Sequence, residues 1–342
     1  MFSRLSQLTR HLSRPLPNYA HSSAATGASK IMTSSISADE RNSRTIHTAA
    51  CLIIGDEVLG GKTVDTNSAY MAKFCFGLGM NLKRIEVIAD DESEIIEAVQ
   101  RMSDKYDFVV TSGGIGPTYV CLHDDSRPEL TITSHDDITY QSIAKAFSLK
   151  LVLHQEAYEK MKRLSRPHPG QPDFSWDEDT PARKAKLRMV ELPWDESRAA
   201  EKQAIFASPD LWVPVSVVNG NVHILPGIPR LFEKLLEGLK PYLLPRLSDP
   251  EGKGIHRILI STPMPESAVA PYLTELAAMV ESKGVKVGSY PRWGKEHNTV
   301  TLVGRDQAYL ESLVADVEKN VDGKRVQVEG EDEIPPAKDG QS

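Results

Sequence analysis

The chain is poor in cysteine, has no long apolar run and carries no excess of positive charge. Its 3 Cys among 342 residues are too few for a disulfide framework or a paired CxxC zinc site, so we expect a reducing compartment. No apolar run approaches the roughly 20 residues of a membrane span. With 40 Lys and Arg against 47 Asp and Glu, the net charge of −7 argues against binding nucleic acid through bulk phosphate contacts. We therefore expect neither a membrane nor a nucleic acid as partner, and an anionic ligand would need backbone N–H groups or a metal ion.

Acidic residues are missing from the first 38 positions. Basic residues lie there among many serines and alanines, and Leu5, Leu8 and Leu12 would share one face of a helix. This composition is typical of a mitochondrial presequence, so we predict that residues 1–44 are a leader to the mitochondrial matrix. A disordered tail is the alternative. Met32 offers a second start that would give a cytosolic form.

Strands and helices alternate after this leader. Residues 46–55, 82–90 and 106–114 predict three strands, the last of them as a near-continuous apolar run, and the segments between them predict helices. This order is typical of a doubly wound α/β layer, in which ligands bind outside the carboxyl ends of the strands. We therefore expect the functional site in the loops that follow these strands.

The loop after the third strand carries the strongest signal for chemistry. It reads Thr-Ser-Gly-Gly-Ile-Gly-Pro-Thr at positions 111–118, with three glycines and three hydroxyl side chains. Glycine lets the backbone approach a phosphate closely and point successive N–H groups at it. The loop is neither a Walker A motif nor a Rossmann GxGxxG fingerprint. It predicts a phosphate cradle at the edge of the sheet.

Acidic and polar residues cluster after the other strands and before the next helices. Asp56 follows the first strand, Asp65 and Asn67 precede the first helix, Asp91 opens the second helix, and Asp137 lies farther on. Each has a purely structural alternative, because Asp at a helix start accepts hydrogen bonds from otherwise unpaired N–H groups. Several such loops at one sheet edge favour a functional site over capping alone.

Four segments together resemble a known family. GDEVLGGKTVDTN from Gly55, TSGGIGPT from Thr111, HDDIT from His135 and LPGIP from Leu225 are similar to the MoaB/Mog-type molybdopterin-binding domain. The resemblance is to the branch of CinA-like proteins and of the N-terminal domain of eukaryotic FAD synthases. It covers about residues 45–248 and implies a three-layer α/β domain, a sheet flanked by helices, over residues 45–250.

The resemblance also implies an activity and the residues that support it. In this branch the domain is associated with metal-dependent cleavage of the diphosphate of FAD or ADP-ribose, which from FAD gives FMN and AMP. Asp137, Asp136 and Asp91 would be catalytic, and Asp56 and Asp137 would hold a divalent metal, Mg²⁺ or Co²⁺, with K⁺ as a further candidate cation. The nucleotide and its phosphates would be bound by Gly55, Asp65, Asn67, Ser112, Gly113, Gly114, Gly116, Thr118, Pro226 and Gly227.

Two other functions stay open at this point. One is molybdopterin or nucleotide binding, or adenylyl transfer, in molybdenum cofactor biosynthesis. The other is a binding module without catalytic activity. In each case the ligand would be a small nucleotide or pterin, and because relatives of this fold commonly assemble, we expect a homo-oligomer.

The family pattern is interrupted at one place. GGIGPT runs directly into HDDIT in the family, whereas here sixteen residues, 119–134, separate the two motifs. Reverse translation allows a splice donor and acceptor at the ends of this segment and rejoins the motifs in frame. We therefore hypothesise a retained intron, with a disordered lid over the site as the alternative.

The rest of the chain predicts further elements and a second domain. Residues 182–193 predict a helix, residues 213–227 a β-hairpin through Asn-Gly, and residues 228–244 another helix. From 251 to 330 the pattern β-α-β-β-α-β predicts a small α+β ferredoxin-like domain. Residues 331–342 predict a disordered tail.

Overall fold

The computed structural model describes residues 36–116, 137–165, 174–251, 254–292, 297–328 and 331. Most of the predicted leader and tail, Thr118, Asp136 and the interrupting segment 119–134 lie outside these residues, so what was predicted of them stays a prediction. The chain from Ser37 onward forms one compact unit.

The described residues form eleven α-helices and twelve strands. The helices are α1 (Ala38–Ser43), α2 (Asp56–Leu59), α3 (Asn67–Gly77), α4 (Glu92–Lys105), α5 (Thr139–Ala146), α6 (Gln155–Leu164), α7 (Pro181–Arg188), α8 (Pro229–Gly238), α9 (Lys240–Leu243), α10 (Glu266–Val280) and α11 (Gln307–Asn320). The strands are β1 (Thr48–Ile54), β2 (Asn81–Ile88), β3 (Phe108–Ser112), β4 (Lys150–Leu153), β5 (Glu191–Trp194), β6 (Ala204–Ile205), β7 (Val215–Val218), β8 (Val222–Leu225), β9 (His256–Thr262), β10 (Lys286–Tyr290), β11 (Asn298–Gly304) and β12 (Lys324–Val326). None of these helices has the length and apolar character that crossing a bilayer requires.

The first domain is organised around a six-stranded sheet in the order β2-β1-β3-β8-β7-β6. The strands β2, β1, β3 and β8 run parallel, and β7 and β6 extend the sheet antiparallel. All five residues of β3 are buried, as its continuous apolar sequence predicts for a strand covered on both faces. This arrangement confirms the predicted α/β class and brings the carboxyl ends of β1, β3 and β8 to one edge.

The helix α4 shows how the pattern of apolar residues attaches a helix to this sheet. Ile95, Val99 and Met102 recur at three- and four-residue spacing and are fully buried. Burial of each contributes about 1.5–3 kcal/mol relative to exposure. The helix begins after Asp91, whose carboxylate accepts hydrogen bonds from the backbone N–H groups of Ser93 and Glu94.

The hairpin between β7 and β8 confirms its prediction. Asn219 and Gly220 form its turn, with φ values of 50° and 76°, as expected for an Asn-Gly hairpin turn. A Cβ atom on Gly220 would lie 1.9 Å from the carbonyl oxygen of Ala38, so this turn also needs glycine for packing.

The prediction of a helix over residues 182–193 is correct only in its first part. Helix α7 ends at Arg188, and Glu191–Trp194 form β5, which pairs antiparallel with β4. Pro193 lacks the N–H that a helix interior needs but is accommodated in this two-stranded sheet. The predicted helix over 228–244 is present as α8 and α9.

The last residues of the predicted leader segment form a helix that contacts the α/β domain. Residues 38–43 form α1, and Arg41 donates from Nη1 to the carbonyl oxygen of Ser103 at 2.9 Å. Asp39 of the same helix pairs with Arg198 at 3.0 Å. These contacts make α1 part of the α/β domain. The shortage of acidic residues ends at Asp39, which is the second residue of α1.

The second domain has the predicted β-α-β-β-α-β order. Its sheet is antiparallel with the order β10-β11-β9-β12, which is the ferredoxin-like arrangement. It has its own apolar core, built from Ile260, Leu276 and Val300 among others. At the junction with the first domain, Arg305 donates from Nη2 to the carbonyl oxygen of Gly79 at 2.8 Å.

Candidate functional site

The glycine-rich loop after β3 fits against the end of β1 because it lacks side chains. Gly113 and Gly114 have φ values of 113° and 63°, in the region that favours glycine. A Cβ atom on Gly113 would lie 2.0 Å from the carbonyl oxygen of Ile54. Within the described part of the chain, the N–H groups of Gly114 and Ile115 have no acceptor. The loop therefore offers two successive backbone donors, as a phosphate cradle requires.

Asn67 ties this loop to two other parts of the site. Its Nδ2 donates to Ser112 Oγ and to the carbonyl oxygen of Gly227, both at 2.8 Å. The side chain is buried, so these bonds are shielded from water. Asn67 and Ser112 were predicted to bind nucleotide, but they do not line the cavity described below. They instead hold the ends of β3 and β8 in register with the start of α3.

The two sides of the interrupted motif are joined directly. The backbone N–H of Gly116 donates to Asp137 Oδ1 at 2.8 Å. Thr139 bonds back as well, from its backbone N–H to the carbonyl oxygen of Gly114 and from Oγ1 to that of Gly113, both at 3.1 Å. We call these three hydrogen bonds the seam. The seam places Asp137 beside the glycine loop although twenty positions, 117–136, separate Gly116 from Asp137 in the sequence.

A cavity of about 830 Å³ lies at this edge of the sheet, within the size range of small-molecule sites. Four acidic residues line it, Asp56, Glu57, Asp90 and Asp137, which we call the acidic wall; Lys62 lies beside them. The cavity is also lined by the predicted residues Gly113, Gly114, Gly116, Pro226 and Gly227. Glu57 lies in the motif that begins at Gly55, within α2, and Asp90 follows β2, so the carboxyl-end rule predicts both of them at this edge.

Hydrogen bonds fix the two loops of the acidic wall to each other. The N–H of Asp56 donates to Asp90 Oδ2 at 2.9 Å, and the N–H of Asp90 donates to Asp56 Oδ1 at 3.4 Å. Each carboxylate therefore accepts from the other residue's backbone, which holds the ends of β1 and β2 together at the cavity.

Three other residues predicted for the site, Asp91, Asp65 and Gly55, do not line the cavity and form hydrogen bonds within the fold. Asp91 does not line the cavity; hydrogen bonds from the Ser93 hydroxyl and the Glu94 backbone hold the pKa of Asp91 below its usual value, as expected of a helix cap. Asp65 Oδ1 accepts from the backbone N–H of Ser68 at 3.0 Å at the start of α3. Gly55 is buried at the end of β1 and donates from its N–H to the carbonyl oxygen of Ile88. Asp136 and Thr118 lie outside the described residues.

Another part of the cavity lining is apolar, and only Ile228 of it lies in a motif quoted for the family, LPGIP. Met189, Trp212, Val213, Ile228 and Leu231 line it, and we call them the apolar wall. They come from the end of α7, the approach to β7 and the start of α8, which are far apart in sequence. In the sheet order, β8 and β7 lie on one side of β3, and β1 and β2 lie on the other. The glycine loop after β3 therefore lies between Ile228, which follows β8, and the pair Asp56 and Asp90, which follow β1 and β2.

The carboxylate oxygens of the acidic wall are possible metal ligands. No group of three or more His, Cys, Asp or Glu side chains that could hold a metal ion occurs in the described ranges. However, Mg²⁺ commonly binds through one or two carboxylates together with water and substrate phosphates. Asp56 and Asp137 supply such oxygen donors beside the glycine loop. The residues present therefore fit a cation that binds together with a diphosphate.

The two described cysteines lie in the core and not at the site. Cys51 and Cys75 are buried with free thiols. Burial raises the pKa of Cys75 to about 12 and that of Cys51 higher still, so both thiols are neutral at physiological pH. A neutral thiol is a poor nucleophile and a poor metal ligand.

Two family models match separate parts of the chain. Residues 50–125 match a family described as "Probable molybdopterin binding domain", and residues 255–329 match one described as "FAD synthase, middle domain". The first match contains the glycine loop, and the second coincides with the ferredoxin-like domain. The chain is thus similar to a molybdopterin-binding domain of the MoaB/Mog type over residues 50–125 and to an FAD synthase middle domain over residues 255–329, and its relatives include CinA-like proteins.

Individual relatives carry the names of both groups. A "Probable FAD synthase" from Caenorhabditis elegans is 33% identical over 253 residues, which are 71% of this chain and 44% of the relative. A "CinA-like protein" from Anaeromyxobacter dehalogenans is 26% identical over 294 residues, 83% of this chain and 62% of the relative. A crystal structure of CinA from Thermoplasma acidophilum is 29% identical, covers 58% of this chain and 98% of that one, and has a TM-score of 0.43. The chain therefore spans less than half the length of the FAD synthase relative.

Proposed function

We propose that the protein cleaves the diphosphate of FAD, or of a similar nucleotide such as ADP-ribose, and that FAD yields FMN and AMP. The observation that carries this proposal is the glycine loop bordered by the acidic wall in one cavity. The match to an FAD synthase middle domain and the relative named as an FAD synthase support flavin metabolism as the setting.

The glycine loop would bind the phosphates. The N–H groups of Gly114 and Ile115 are already oriented by the fold, so they need no rearrangement when charge develops on phosphoryl oxygens. Gly227 packs against this loop, since a Cβ atom on it would lie 3.2 Å from Gly113 Cα. The loop therefore has little freedom to move away from the substrate.

Asp137 would act on the attacking water. The hydrogen bond from Gly116 fixes Oδ1 of Asp137 next to the cradle. The carboxylate would orient a water molecule in line with the bridging P–O bond and accept its proton. A new O–P bond forms, the bridging P–O bond breaks, and the leaving nucleotide keeps the bridging oxygen.

A divalent cation would be held by Asp56 and Asp137. The diphosphate carries two negative charges, and an acidic wall repels it unless a cation lies between them. When bound, Mg²⁺ or Co²⁺ would neutralise this charge and polarise the phosphoryl oxygens, with K⁺ as a further candidate.

The proposal is tested by incubating the full chain with FAD or ADP-ribose and a series of cations, followed by mass spectrometry of the products. We expect FMN and AMP from FAD in the presence of Mg²⁺ or Co²⁺. Asp137→Asn should lower the rate by at least about a hundredfold. Asp104→Asn is the matched control, because this carboxylate lies on α4 with 73% of its side chain exposed and outside the cavity. Failure of the unmutated protein to release FMN or AMP with any of the cations would contradict the proposal.

Binding of a pterin is a second candidate, favoured by the match of residues 50–125 to a molybdopterin-binding family. In that case the same cavity would hold molybdopterin, alone or with AMP, in molybdenum cofactor biosynthesis. Calorimetry with a pterin monophosphate and with FAD separates the two. Tighter pterin binding without FAD turnover would favour the second candidate.

Location and assembly are proposed from the sequence alone. We propose import into the mitochondrial matrix, with a cytosolic form starting at Met32, and a homo-oligomer. A reporter fused to residues 1–44 should colocalise with mitochondria, and light scattering of the purified protein should give a multiple of the monomer mass of 37.8 kDa.

A further inference from the structure

The apolar wall contains one large apolar side chain that is mostly exposed. Ile228 is 61% exposed although it directly precedes α8, whose Phe232, Leu235 and Leu236 are buried. It follows Pro226 and Gly227, so it lies within two residues of the turn that packs on the glycine loop. An apolar side chain left exposed in a concave site is typical of ligand contact.

Trp212 supplies a rigid aromatic surface to the same wall. The indole is partly buried and packs both against the main core of the first domain and against the smaller cluster of Ala157, Met161 and Val190. It lines the cavity as well. A tryptophan that is fixed by packing and borders a cavity can stack on a planar ring with little loss of side-chain entropy.

The order of the strands then sets the arrangement of a ligand. Asp56, Glu57 and Asp90 of the acidic wall follow β1 and β2, the glycine loop follows β3, and Ile228 of the apolar wall follows β8. These groups therefore succeed one another along the sheet edge in the strand order β2-β1-β3-β8. A phosphate at Gly114 and Ile115 therefore has charge on one side and apolar surface on the other. Molecules with a phosphate linked to a fused aromatic ring match this arrangement.

We infer that the apolar wall is a ring-binding subsite, in which Trp212 and Ile228 hold the fused aromatic heterocycle of a phosphate-linked ligand, either a flavin or an adenine. This inference rests on the proposed function for the position of the phosphates and adds which residues recognise the ring. Stacking a ring on an aromatic side chain changes affinity on the order of tenfold to a hundredfold when the side chain is truncated.

The test uses binding rather than turnover, with riboflavin, FMN, AMP and inorganic pyrophosphate as probes of the full chain in calorimetry. We expect Ile228→Ser to weaken binding of FMN or AMP by about tenfold and to leave pyrophosphate affinity unchanged. Which of the two ligands is weakened identifies the ring. Ile228 occupies the position before the first residue of α8, where Ser is a favoured cap, so this variant should fold as well as the unmutated chain.

A second pair of variants addresses Trp212. Trp212→Ala should weaken the same ring ligand at least as much as Ile228→Ser, and Trp212→Phe should restore most of the affinity. Trp176 packs against Tyr158 and does not line the cavity, so Trp176→Phe is the matched control. With riboflavin or FMN as the ligand, quenching of tryptophan fluorescence should be smaller in Trp212→Phe than in Trp176→Phe. Met279→Ser is the control for loss of an exposed apolar side chain, because Met279 is 68% exposed on α10 of the second domain.

The outcomes separate this inference from the proposed function. Equal ring-ligand affinity in Ile228→Ser, Trp212→Ala and the unmutated chain overturns the inference, even if FAD is cleaved. The absence of measurable FMN and AMP binding to the unmutated chain overturns it as well. Ring binding that depends on Ile228 and Trp212, without any cleavage of FAD, supports the inference while contradicting only the proposed hydrolysis.

Discussion

The two sheets of the molecule place their strand ends differently. In the first domain β2, β1, β3 and β8 run parallel, so their carboxyl ends and the loops that follow them meet at one edge. In the second domain neighbouring strands run antiparallel, so their ends alternate between two edges. All residues that line the cavity come from the first domain, between Ile54 and Leu231. The direction of the strands therefore explains why the polar groups of the site lie together in the first domain and not in the second.

The largest expected effect is at the centre of the parallel sheet edge. Gly113→Ala should lower the free energy of unfolding by about 3 kcal/mol or more and abolish ligand binding, because the new Cβ overlaps the carbonyl oxygen of Ile54 at an unfavourable φ. Thermal unfolding and calorimetry with pyrophosphate measure both effects. Gly77→Ala is the control, since a Cβ there meets nothing within 4 Å. Normal ligand affinity in the Gly113→Ala protein would show that the glycine loop does not bind the ligand.

The corresponding change in the antiparallel sheet should affect stability alone. A Cβ atom on Gly323 would lie 2.7 Å from both Ile260 Cγ2 and the carbonyl oxygen of Ser261. Gly323→Ala should therefore destabilise the second domain by about 1–3 kcal/mol through overpacking. Ligand affinity measured well below the unfolding temperature should not change. Loss of affinity under those conditions would show that the second domain contributes to the site.

Lowering the pH should reduce the stability of the first domain before that of the second. Burial, with the nearby charge of Arg246, lowers the pKa of His223 in β8 to about 3 from an ordinary 6.5. Between these values the unfolded chain binds a proton that the folded chain does not, so stability falls as the pH decreases below about 6.5. From pH 6.5 to pH 4.5 the loss should be on the order of 2 kcal/mol. Urea unfolding at several pH values, compared with His223→Gln, measures it. Parallel pH dependence in the two proteins would contradict the assignment to His223.

The smallest expected effect separates two neighbouring carboxylates. Asp91→Ala removes a helix cap and should lower the melting temperature by a few degrees without changing the rate of FAD cleavage. Asp90→Ala removes a residue of the acidic wall and should slow cleavage. Melting curves and product release on the same two variants test the pair. An inactive but stable Asp91→Ala protein would restore Asp91 to the catalytic residues.

The strand pattern and the glycine loop were predictable because each depends on local sequence. Continuous apolar runs mark strands buried on both faces, and a turn with positive φ at Asn219 and Gly220 follows from two adjacent residues. The sequence predicted that Asp91 opens the second helix, but it did not show that Asp90, and not Asp91, lines the cavity, because that depends on the fold. The short strand β5 was missed because its pairing with β4 is a tertiary contact.

Most of the apolar wall was not predicted, for a related reason. Met189, Trp212 and Ile228 have no shared periodicity and no common motif. They meet only because β8 lies beside β3 and the segment before β7 returns to the same edge. Patterns in sequence report neighbours along a helix or strand, whereas this wall consists of neighbours across the fold.

The hydrogen bonds of the seam bring together two residues, Gly116 and Asp137, that are far apart in the sequence. The length of the connection between them affects the free energy of folding. The entropy lost on closing a flexible loop grows only with the logarithm of its length. Extending the connection from four residues to the twenty of positions 117–136 therefore adds about 1.4 kcal/mol to the cost of closure. A domain of ordinary stability can lose that much and still fold. The glycine loop and Asp137 should thus come together in a chain with residues 119–134 and in one without them.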